Sequence, residues 1–311
     1  MQGRGIFSFE PRLVARRELG AVFFPSPLGG HFASFDFSVT HRIVPEKASP
    51  TSLKIPALSG TATVARVNNP IFIADLHLTG RKKKTLLAFW WFLRSRALQY
   101  DELFILGDFF EYWIGDDASK PAEPIARWLR AYAARGKRVY LMQGNRDFLL
   151  GEDFARHCGG TLLKPQVVIE TPKTRILLSH GDEWCTLDTD YQAFRARMRD
   201  PEFQREGLAM SVAERIEYAK KARAASLENK TQKTAQMMDV VAEAFVADCR
   251  KYGVDQVIHG HTHRAAVHRA DGCTRTVIPD WDMQGKGPRH RGWVELNSCG
   301  LPQIVLTDRW V

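Results

Sequence analysis

Five segments of this chain share one pattern, in which a short apolar run is followed at once by a polar signature. They are the stretches 71–78 (IFIADLHL), 103–117 (LFILGDFFEYWIGDD), 139–148 (VYLMQGNRDF), 176–183 (ILLSHGDE) and 256–264 (QVIHGHTHR). An apolar run of this length, bounded by turn residues, is typical of a buried strand. In an open α/β sheet, the loops at the carboxyl ends of the strands meet in one crevice. The pattern therefore predicts an α/β fold whose polar signatures converge.

The polar signatures supply side chains that bind metal ions. The seven candidates are Asp75, His77, Asp108, Asn145, His180, His261 and His263. Carboxylates, imidazoles and one amide, without a thiolate, suit Mn²⁺, Fe²⁺ or Zn²⁺ better than a structural zinc site. Two ions ~3.5–4 Å apart can hold an attacking hydroxide and a phosphoryl oxygen during in-line displacement. Asp108 lies in the middle of the set, after the turn at Gly107, and we interpret it as the carboxylate that bridges two ions.

Composition narrows the class of protein. With 311 residues and 44% hydrophobic content, the chain can bury one substantial core. The longest apolar run, 86–93 (LLAFWWFL), is far shorter than a membrane span, and the first residues lack the apolar stretch of a secretory signal. The five cysteines form no C-x-x-C pair and are typical of reduced cytosolic thiols. The net charge of +9 indicates an anionic partner without identifying it.

The order of segments predicts the domain organisation. Residues 1–69 lack helical or strand periodicity and are dotted with Pro, Gly and Ser, so we expect a disordered extension before a domain at 70–311. An upstream segment read through from a misplaced start is the alternative. Residues 190–252, between His180 and His261, have a helical pattern with one break near Asp200, which predicts a helical cap insertion. Later turn signals predict a closing antiparallel set of strands.

An aromatic helix is predicted after His77, and its surface allows two interpretations. We expect Phe89, Trp90, Trp91 and Phe92 to pack against the sheet. The alternative is that these aromatic residues, together with the basic run at 81–84 (RKKK), lie at an anionic membrane surface.

The same motifs resemble those of the calcineurin-like metallophosphoesterases over about residues 70–310. The family pattern of D-x-H, G-D, G-N-R-D, H-G and G-H-x-H is present in full. Within that superfamily the chain is similar to the UDP-2,3-diacylglucosamine pyrophosphohydrolases of lipid A synthesis. This likeness is carried by 107–117 (GDFFEYWIGDD), 144–151 (GNRDFLLG), 180–195 (HGDEWCTLDTDYQAFR) and 259–268 (HGHTHRAAVH). The implied fold is a four-layered α/β-β/α sandwich with a helical cap.

The resemblance also implies roles for individual residues. The family implies two divalent ions, which we expect to be Mn²⁺. One ion would be held by Asp75, His77, Asp108 and His263. The second would be held by Asp108, Asn145, His180 and His261. The implied catalytic residues are Asp108, Asn145, Arg146 and His261. The implied substrate contacts are Asn145, Arg146, Asp188, Ser226, Lys230, Lys233 and His261. Lys230, with Asn229 beside it, stands where the family usually has an asparagine.

The implied reaction cleaves the pyrophosphate bond of a UDP-linked acylated glucosamine, which releases UMP and 2,3-diacylglucosamine 1-phosphate. The family also implies a cytoplasmic protein peripherally associated with the inner membrane. Arg146 supports a diphosphate substrate independently, because an arginine cannot act as a general acid but stabilises charge on phosphate oxygens. We add Arg195, on the insertion, as a residue that captures substrate together with Lys233.

Three other functions remain open from the sequence. The first is hydrolysis of a dinucleoside polyphosphate or another nucleoside diphosphate sugar, favoured by the polar character of residues 201–219. The second is a catalytically inactive scaffold, which the intact set of ligands argues against. The third is a nucleic-acid phosphoesterase, but the aromatic residues do not follow a basic groove, so we expect no nucleic-acid partner. The oligomeric state is left open.

Overall fold

The described part of the chain alternates strands and helices. In this computed structural model it comprises residues 64–234, 236–284 and 290–307, without the side chains of 64, 65, 225 and 227–232. The strands are β1 (Val64–Arg66), β2 (Pro70–Ile73), β3 (Glu102–Leu106), β4 (Arg138–Met142), β5 (Thr161–Leu162), β6 (Gln166–Glu170), β7 (Arg175–Ser179), β8 (Gln256–His259), β9 (Val267–Ala270), β10 (Cys273–Val277), β11 (Arg291–Leu296) and β12 (Pro302–Thr307). The α-helices are α1 (Lys83–Arg94), α2 (Glu123–Ala133), α3 (Glu152–His157), α4 (Thr189–Met198), α5 (Pro201–Ala209), α6 (Val212–Gln232) and α7 (Ala242–Tyr252).

The strands form two six-stranded mixed sheets. One has the order β1-β6-β7-β8-β10-β9 and the other the order β12-β11-β2-β3-β4-β5. Strands β2, β3, β4 and β5 run parallel to one another, and so do β7, β8 and β10, so within each sheet the carboxyl ends of these strands share an edge. The predicted antiparallel strands near the end of the chain are confirmed by the pairs β9–β10 and β11–β12.

The two sheets pack against each other through alternating side chains. In β2, Phe72 lies in the core between the sheets, whereas Ile71 and Ile73 lie in the core on the other face. The inner core receives side chains from both sheets, including Phe104, Leu106, Tyr140, Met142, Val167, Ile169, Ile176, Leu178, Ile258 and Val294. Successive residues of a strand point to opposite faces, so strands buried on both sides are apolar throughout.

Helices cover the outer face of each sheet, which confirms the four-layered sandwich. The outer face of the second sheet packs against α1, α2 and α3 through residues such as Phe89, Leu129 and Phe154. The outer face of the first sheet packs against α7. Its Phe245, Val246 and Cys249 are buried against strand residues, so α7 belongs to the sandwich. The interpretation of 190–252 as one cap is therefore revised to α4, α5 and α6.

The cap begins and breaks where local sequence signals place it. Asp188 precedes α4, and its side chain accepts a hydrogen bond from the backbone N–H of Tyr191. The predicted break is confirmed, since Asp200 caps α5 and Pro201 is its first residue. Ser211 and Glu214 form a capping box at the start of α6.

Helix α1 divides its aromatic residues between core and surface. Phe89 and Phe92 are fully buried, as predicted, but Trp90 is half-buried and Trp91 is 47% exposed. Adjacent helical residues point about 100° apart, so a run of four aromatics cannot all face one sheet. None of the helices in the described residues is long and apolar enough to cross a membrane.

The ordered domain begins before the predicted boundary at residue 70. Strand β1 pairs in parallel with β6, from Val64 opposite Val168 to Arg66 opposite Glu170. The side chain of Val67 is buried in the core between the sheets. Residues 64–69 therefore belong to the sandwich. The expectation of disorder for residues 1–63 concerns a segment outside the described residues.

Candidate active site

Five of the predicted ligands share an unusual backbone conformation. Asp75, His77, Asp108, His261 and His263 have φ between +47° and +68°, in the left-handed region that non-glycine residues rarely adopt. Each lies shortly after the carboxyl end of β2, β3 or β8. Positive φ outside glycine costs free energy and concentrates at functional sites. Among the described residues only one other non-glycine residue, Asp271 in the β9–β10 turn, shares this conformation.

The glycines of the motifs permit close approach between the ligand loops. A Cβ on Gly144 would lie 2.3 Å from the backbone nitrogen of Asp108, and one on Gly260 would lie 2.3 Å from Asp75 Oδ2. Neither contact is tolerable, so only glycine fits there. The G-N and G-H pairs are therefore required for packing as well as for turning the chain.

The first group of donors consists of Asp75, His77 and His263. Their ligand atoms all lie within 4.8 Å of one another. The Nε2 atoms of the two histidines are 3.1 Å apart, and His263 Nε2 is 3.4 Å from Asp75 Oδ1. Atoms this close can coordinate one ion after small side-chain adjustments.

The second group consists of Asp75, Asp108 and His180, again within 4.8 Å. Asn145 adds its side-chain oxygen, which lies 3.0 Å from His180 Nε2 and 2.9 Å from His261 Nδ1. The structure thus brings all seven sequence-predicted ligands to one place at the ends of the strands.

Asp75 is common to both groups, and Asp108 of the second group also approaches His77 of the first. Its Oδ2 is 3.8 Å from His77 Nδ1, and its Oδ1 is 3.6 Å from His180 Nε2. Burial, together with the charges of Asp147 and Asp75, raises the pKa of Asp108 to about 7, although His180 opposes this. A divalent cation beside the carboxylate would stabilise its ionised form.

The cluster has the features of a cation site. Asp75 Oδ1 and His77 Nδ1 are buried and have no hydrogen-bond partner within the described part of the chain. Burial alone would lower the pKa of His180, but Asp108, Asp75 and Asp182 raise it to about 9. The carboxylates therefore attract positive charge to this position. A divalent ion would both satisfy the unpaired atoms and supply that charge.

Hydrogen bonds and ion pairs with neighbouring residues orient the candidate ligands. Several of these neighbouring residues were not predicted from the sequence. His180 Nδ1 lies 2.9 Å from the carbonyl oxygen of Leu106, so it donates there and leaves Nε2 for the site. Asp280 Oδ2 is 3.4 Å from His263 Nδ1. Asp147 accepts hydrogen bonds from the backbone N–H groups of Asp108, Phe109, Phe110 and Gly144. Asp147 is the last residue of the GNRD motif, so its place in the motif could have indicated this role from the sequence.

Arg146 lies beside the cluster and belongs to a charged network. Its Nη1 donates to Glu111 Oε1 at 2.9 Å, and its Nε is 3.9 Å from Asp108 Oδ2. Arg223 of α6 also approaches Glu111 Oε1, with its Nε at 3.0 Å. Glu111 and Arg223 were not predicted, because nothing in the sequence indicated that they meet.

The other predicted contact residues occupy the cap side of the site. Lys233 Nζ donates to both oxygens of Asp188, at 2.5 and 2.7 Å. Ser226 is an exposed residue of α6 that lines the adjacent cavity. Lys230 lies in α6, but its side chain is not among those that the structure describes.

Arg195 is engaged within the protein. Its Nε donates to Asp182 Oδ2 at 2.8 Å, and its Nη2 is 3.5 Å from Glu183 Oε2. Tyr191 donates to the same Asp182 oxygen at 2.7 Å. Arg195 therefore attaches α4 to the loop after His180, and its role in substrate capture stays a prediction.

A cavity of about 720 Å³ opens beside the cluster. Its polar end includes Asp108, Asn145, Arg146, His261 and His263. The cap side contributes apolar residues from α4 to α6 and the segment around them: Phe194, Met198, Phe203, Met210, Tyr218, Ala219 and Ala222. Within 201–219 the cavity is lined by Phe203, Met210, Tyr218 and Ala219 as well as by Gln204, Glu206 and Arg215, so this polar segment still contributes apolar surface to the wall.

Comparison with known proteins identifies the family. The model of the calcineurin-like phosphoesterases matches residues 70–265. The chain belongs to this family. A protein of Bordetella parapertussis is 42% identical over 253 residues, which cover 78% of this chain and 97% of the relative. A protein of Stenotrophomonas maltophilia is 45% identical over 227 residues, which cover 69% of this chain and 92% of the relative. Both relatives are named UDP-2,3-diacylglucosamine hydrolase.

A third relative, from Xanthomonas axonopodis pv. citri, has the same name and is 44% identical over 248 residues, which cover 76% of this chain and 99% of the relative. Membership of the phosphoesterase family shows a metal-dependent hydrolase, and the two donor groups are candidate ligands for divalent metal.

Proposed function

We propose that this chain hydrolyses the pyrophosphate bond of UDP-2,3-diacylglucosamine, which yields UMP and 2,3-diacylglucosamine 1-phosphate for lipid A synthesis. The observation that carries the proposal is the cavity itself, which joins a cluster of metal ligands and an arginine to an apolar wall. A diphosphate and an acylated sugar need these two kinds of surface side by side. The names of the relatives support the same substrate.

We assign two divalent ions, with Mn²⁺ as the expected metal, to the donor groups. Asp75, His77, Asp108 and His263 would hold one ion. Asp108, Asn145, His180 and His261 would hold the other. The opposed positions of the two Asp108 oxygens support its bridging role. When bound, such ions supply Lewis-acid activation of water and of phosphoryl oxygens.

Arg146 stabilises charge in this scheme. Its guanidinium is permanently protonated, so it cannot donate a proton to a leaving group, but it can hydrogen-bond to phosphate oxygens in pairs. A phosphate monoester leaving from a pyrophosphate needs no such proton. Glu111 holds Nη1 of Arg146 on the cluster side of the cavity, which orients the fork before substrate binds.

The cap supplies the remaining contacts. Asp188 and Lys233 hold each other at the cavity wall, and Ser226 lies on the same side, so these residues, with Lys230, would contact the substrate. The acyl chains would lie along the apolar wall formed by α4, α5 and α6.

Assays with acylated and deacylated substrates test the proposed function. The purified chain should release UMP from UDP-2,3-diacylglucosamine much faster than from UDP-glucosamine, because the deacylated compound leaves the apolar wall unfilled. Equal rates would favour the alternative of a hydrolase for other nucleoside diphosphate sugars. Faster cleavage of a dinucleoside polyphosphate than of either compound would replace the proposal.

The bridging role of Asp108 predicts the metal content of a variant. Asp108→Ala should lose activity and more than one bound ion per chain, because the missing carboxylate serves both positions. Metal analysis by mass spectrometry after gel filtration measures this. Asp153→Ala removes an exposed carboxylate on α3 and should keep the full metal content. Two tightly bound ions in Asp108→Ala would contradict the bridge.

The role of Arg146 predicts a second set of variants. Arg146→Ala should reduce kcat on the diphosphate by ~10²–10³, as expected for loss of one electrostatic donor. Its metal content should not change, since arginine is not a ligand. Arg146→His restores a proton donor without the guanidinium fork, so it should remain slow. A histidine variant as fast as the wild type would show that charge stabilisation is the wrong role.

We also infer that α1 contacts an anionic membrane surface, where a lipid substrate resides. Lys84, Leu87, Trp91 and Arg94 recur at helical spacing and are exposed on one face of α1. Lys82, just before the helix, has its Nζ 3.8 Å from Oε2 of Glu111, a residue that lines the cavity, so the start of α1 lies near the cavity. Exposed aromatic and basic residues together are typical of an interfacial helix.

Vesicle binding tests this contact. The chain should sediment with vesicles that contain anionic lipid, and less with purely zwitterionic vesicles. A double variant, Leu87→Ser with Trp91→Ser, should weaken the binding without changing turnover of substrate in detergent. Leu306→Ser is a matched control, because Leu306 is 60% exposed on β12. Equal sedimentation of all three proteins would exclude α1 as the contact.

A further inference from the structure

One face of the cap helix α6 runs along the cavity. Its lining residues recur at helical spacing, and they are Arg215, Tyr218, Ala219, Ala222, Arg223 and Ser226. Two arginines therefore enclose a short stretch of tyrosine and alanine on the same face. Because an α-helix rises ~1.5 Å per residue, the separation of eight residues between Arg215 and Arg223 corresponds to ~12 Å along the axis.

The two arginines mark opposite ends of that stretch. Arg223 Nε is 3.0 Å from Glu111 Oε1, and Glu111 also holds Arg146 beside the metal ligands. Arg215 Nη1 is 2.8 Å from Asp117 Oδ1, and the same Nη1 donates to the carbonyl oxygen of Ile114. The loop from Glu111 to Asp117 thus runs antiparallel to α6. Arg223 lies at the reactive end, and Arg215 lies at the far end.

Arg215 is buried at the far end of the cavity. Its side chain is 6% exposed, whereas that of its partner Asp117 is 57% exposed. The pair therefore extends from the cavity wall to the surface. The loop approaches so closely that a Cβ on Gly115 would lie 2.4 Å from Arg215 Nη1 and 2.8 Å from Leu208 Cδ2. Gly115 also has φ of +121°, which requires glycine.

The Arg215–Asp117 pair is charged, whereas the cavity wall between it and the reactive end is largely apolar. Phe203, Met210 and Tyr218 line the same region of the cavity with apolar or aromatic surface. An apolar chain gains free energy along that surface, but it gains nothing by displacing a guanidinium from its carboxylate and carbonyl partners.

We propose that the Arg215–Asp117 pair closes the far end of the cavity and limits the length of the acyl chain that the enzyme accepts. The inference rests on the proposed function, because it assigns the apolar wall to an acyl chain. Arg215 is then a specificity-determining residue. It takes no part in the chemistry at the metal ligands, because it lies ~12 Å along α6 from Arg223 at the reactive end.

A series of substrates with increasing acyl-chain length tests whether the Arg215–Asp117 pair limits that length. The series consists of UDP-2,3-diacylglucosamines whose acyl chains lengthen by two carbons at a time, assayed for UMP release in detergent. For the wild type, kcat/KM should rise with chain length, by up to about fourfold per added methylene if each methylene is fully buried. It should then fall once the acyl chain is long enough to reach Arg215. In Arg215→Ala the optimum should move to a chain at least two carbons longer. The ratio of kcat/KM for the longer over the shorter chain should increase by about tenfold.

Two further variants make the result specific. Arg215→Lys keeps a cation beside Asp117 and should keep the wild-type optimum. Lys220→Ala removes an exposed cation from the same helix, one that pairs with Glu217 at 2.7 Å and does not line the cavity, so its optimum should not move. Asp117 is mostly exposed, so removal of Arg215 leaves no buried unpaired carboxylate, and the fold should persist.

If Arg215→Ala does not fold, Arg215→Met keeps the stem without the charge and should shift the optimum in the same direction. A uniform loss of kcat/KM at every chain length, with an unmoved optimum in the folded variants, would show that the pair only stabilises the cap. Failure of the wild type to hydrolyse any member of the series would refute the proposed function together with this inference. Hydrolysis with an unshifted optimum would refute this inference alone.

Discussion

The structure depends on a cluster of carboxylates and imidazoles held in strained backbone positions at the ends of strands. Five such residues with positive φ cost about 1–3 kcal/mol each, so the surroundings must hold them firmly. Asp147 does part of this by accepting four backbone N–H groups from two ligand loops. The backbone N–H of His77 donates to the carbonyl oxygen of Asp108, and that of His261 donates to Asp75 Oδ2. The loops therefore stabilise one another, and none of them would keep its conformation alone.

Charged contacts attach the cap to this cluster. Arg195 and Tyr191 of α4 meet at Asp182, two residues after the ligand His180. The far end of the cap is attached where Lys233 binds Asp188. Burial favours the neutral form of Asp182, but the nearby cations dominate and hold its pKa well below its usual range. The cap is thus positioned by directional bonds, which leaves its apolar side chains available to line the cavity instead of packing on the sandwich.

The sequence predicts the reactive end of the site better than the rest. Apolar runs followed by D-x-H, G-D or G-H-T-H require a buried strand and a tight turn, so the positions of Asp75 and Asp108 could be inferred locally. The packing of α7 could not, because its buried Phe245 would look the same on a cap helix. Trp91 and Phe92 are adjacent and similar in type, yet only Phe92 is buried. Which face of a helix meets the sheet is decided by tertiary contacts that a local pattern does not contain.

Glu111 connects the reactive end to the cap through charge. It accepts from Arg146, which follows the ligand Asn145, and from Arg223 on α6. A diphosphate that binds between these guanidiniums competes with Glu111 for both, because phosphate oxygens accept the same hydrogen bonds and carry more charge. Substrate would then take the place of the carboxylate as the bridge between core and cap. A cap held by ion pairs is suited to such exchange, since one anion can replace another without exposing apolar surface.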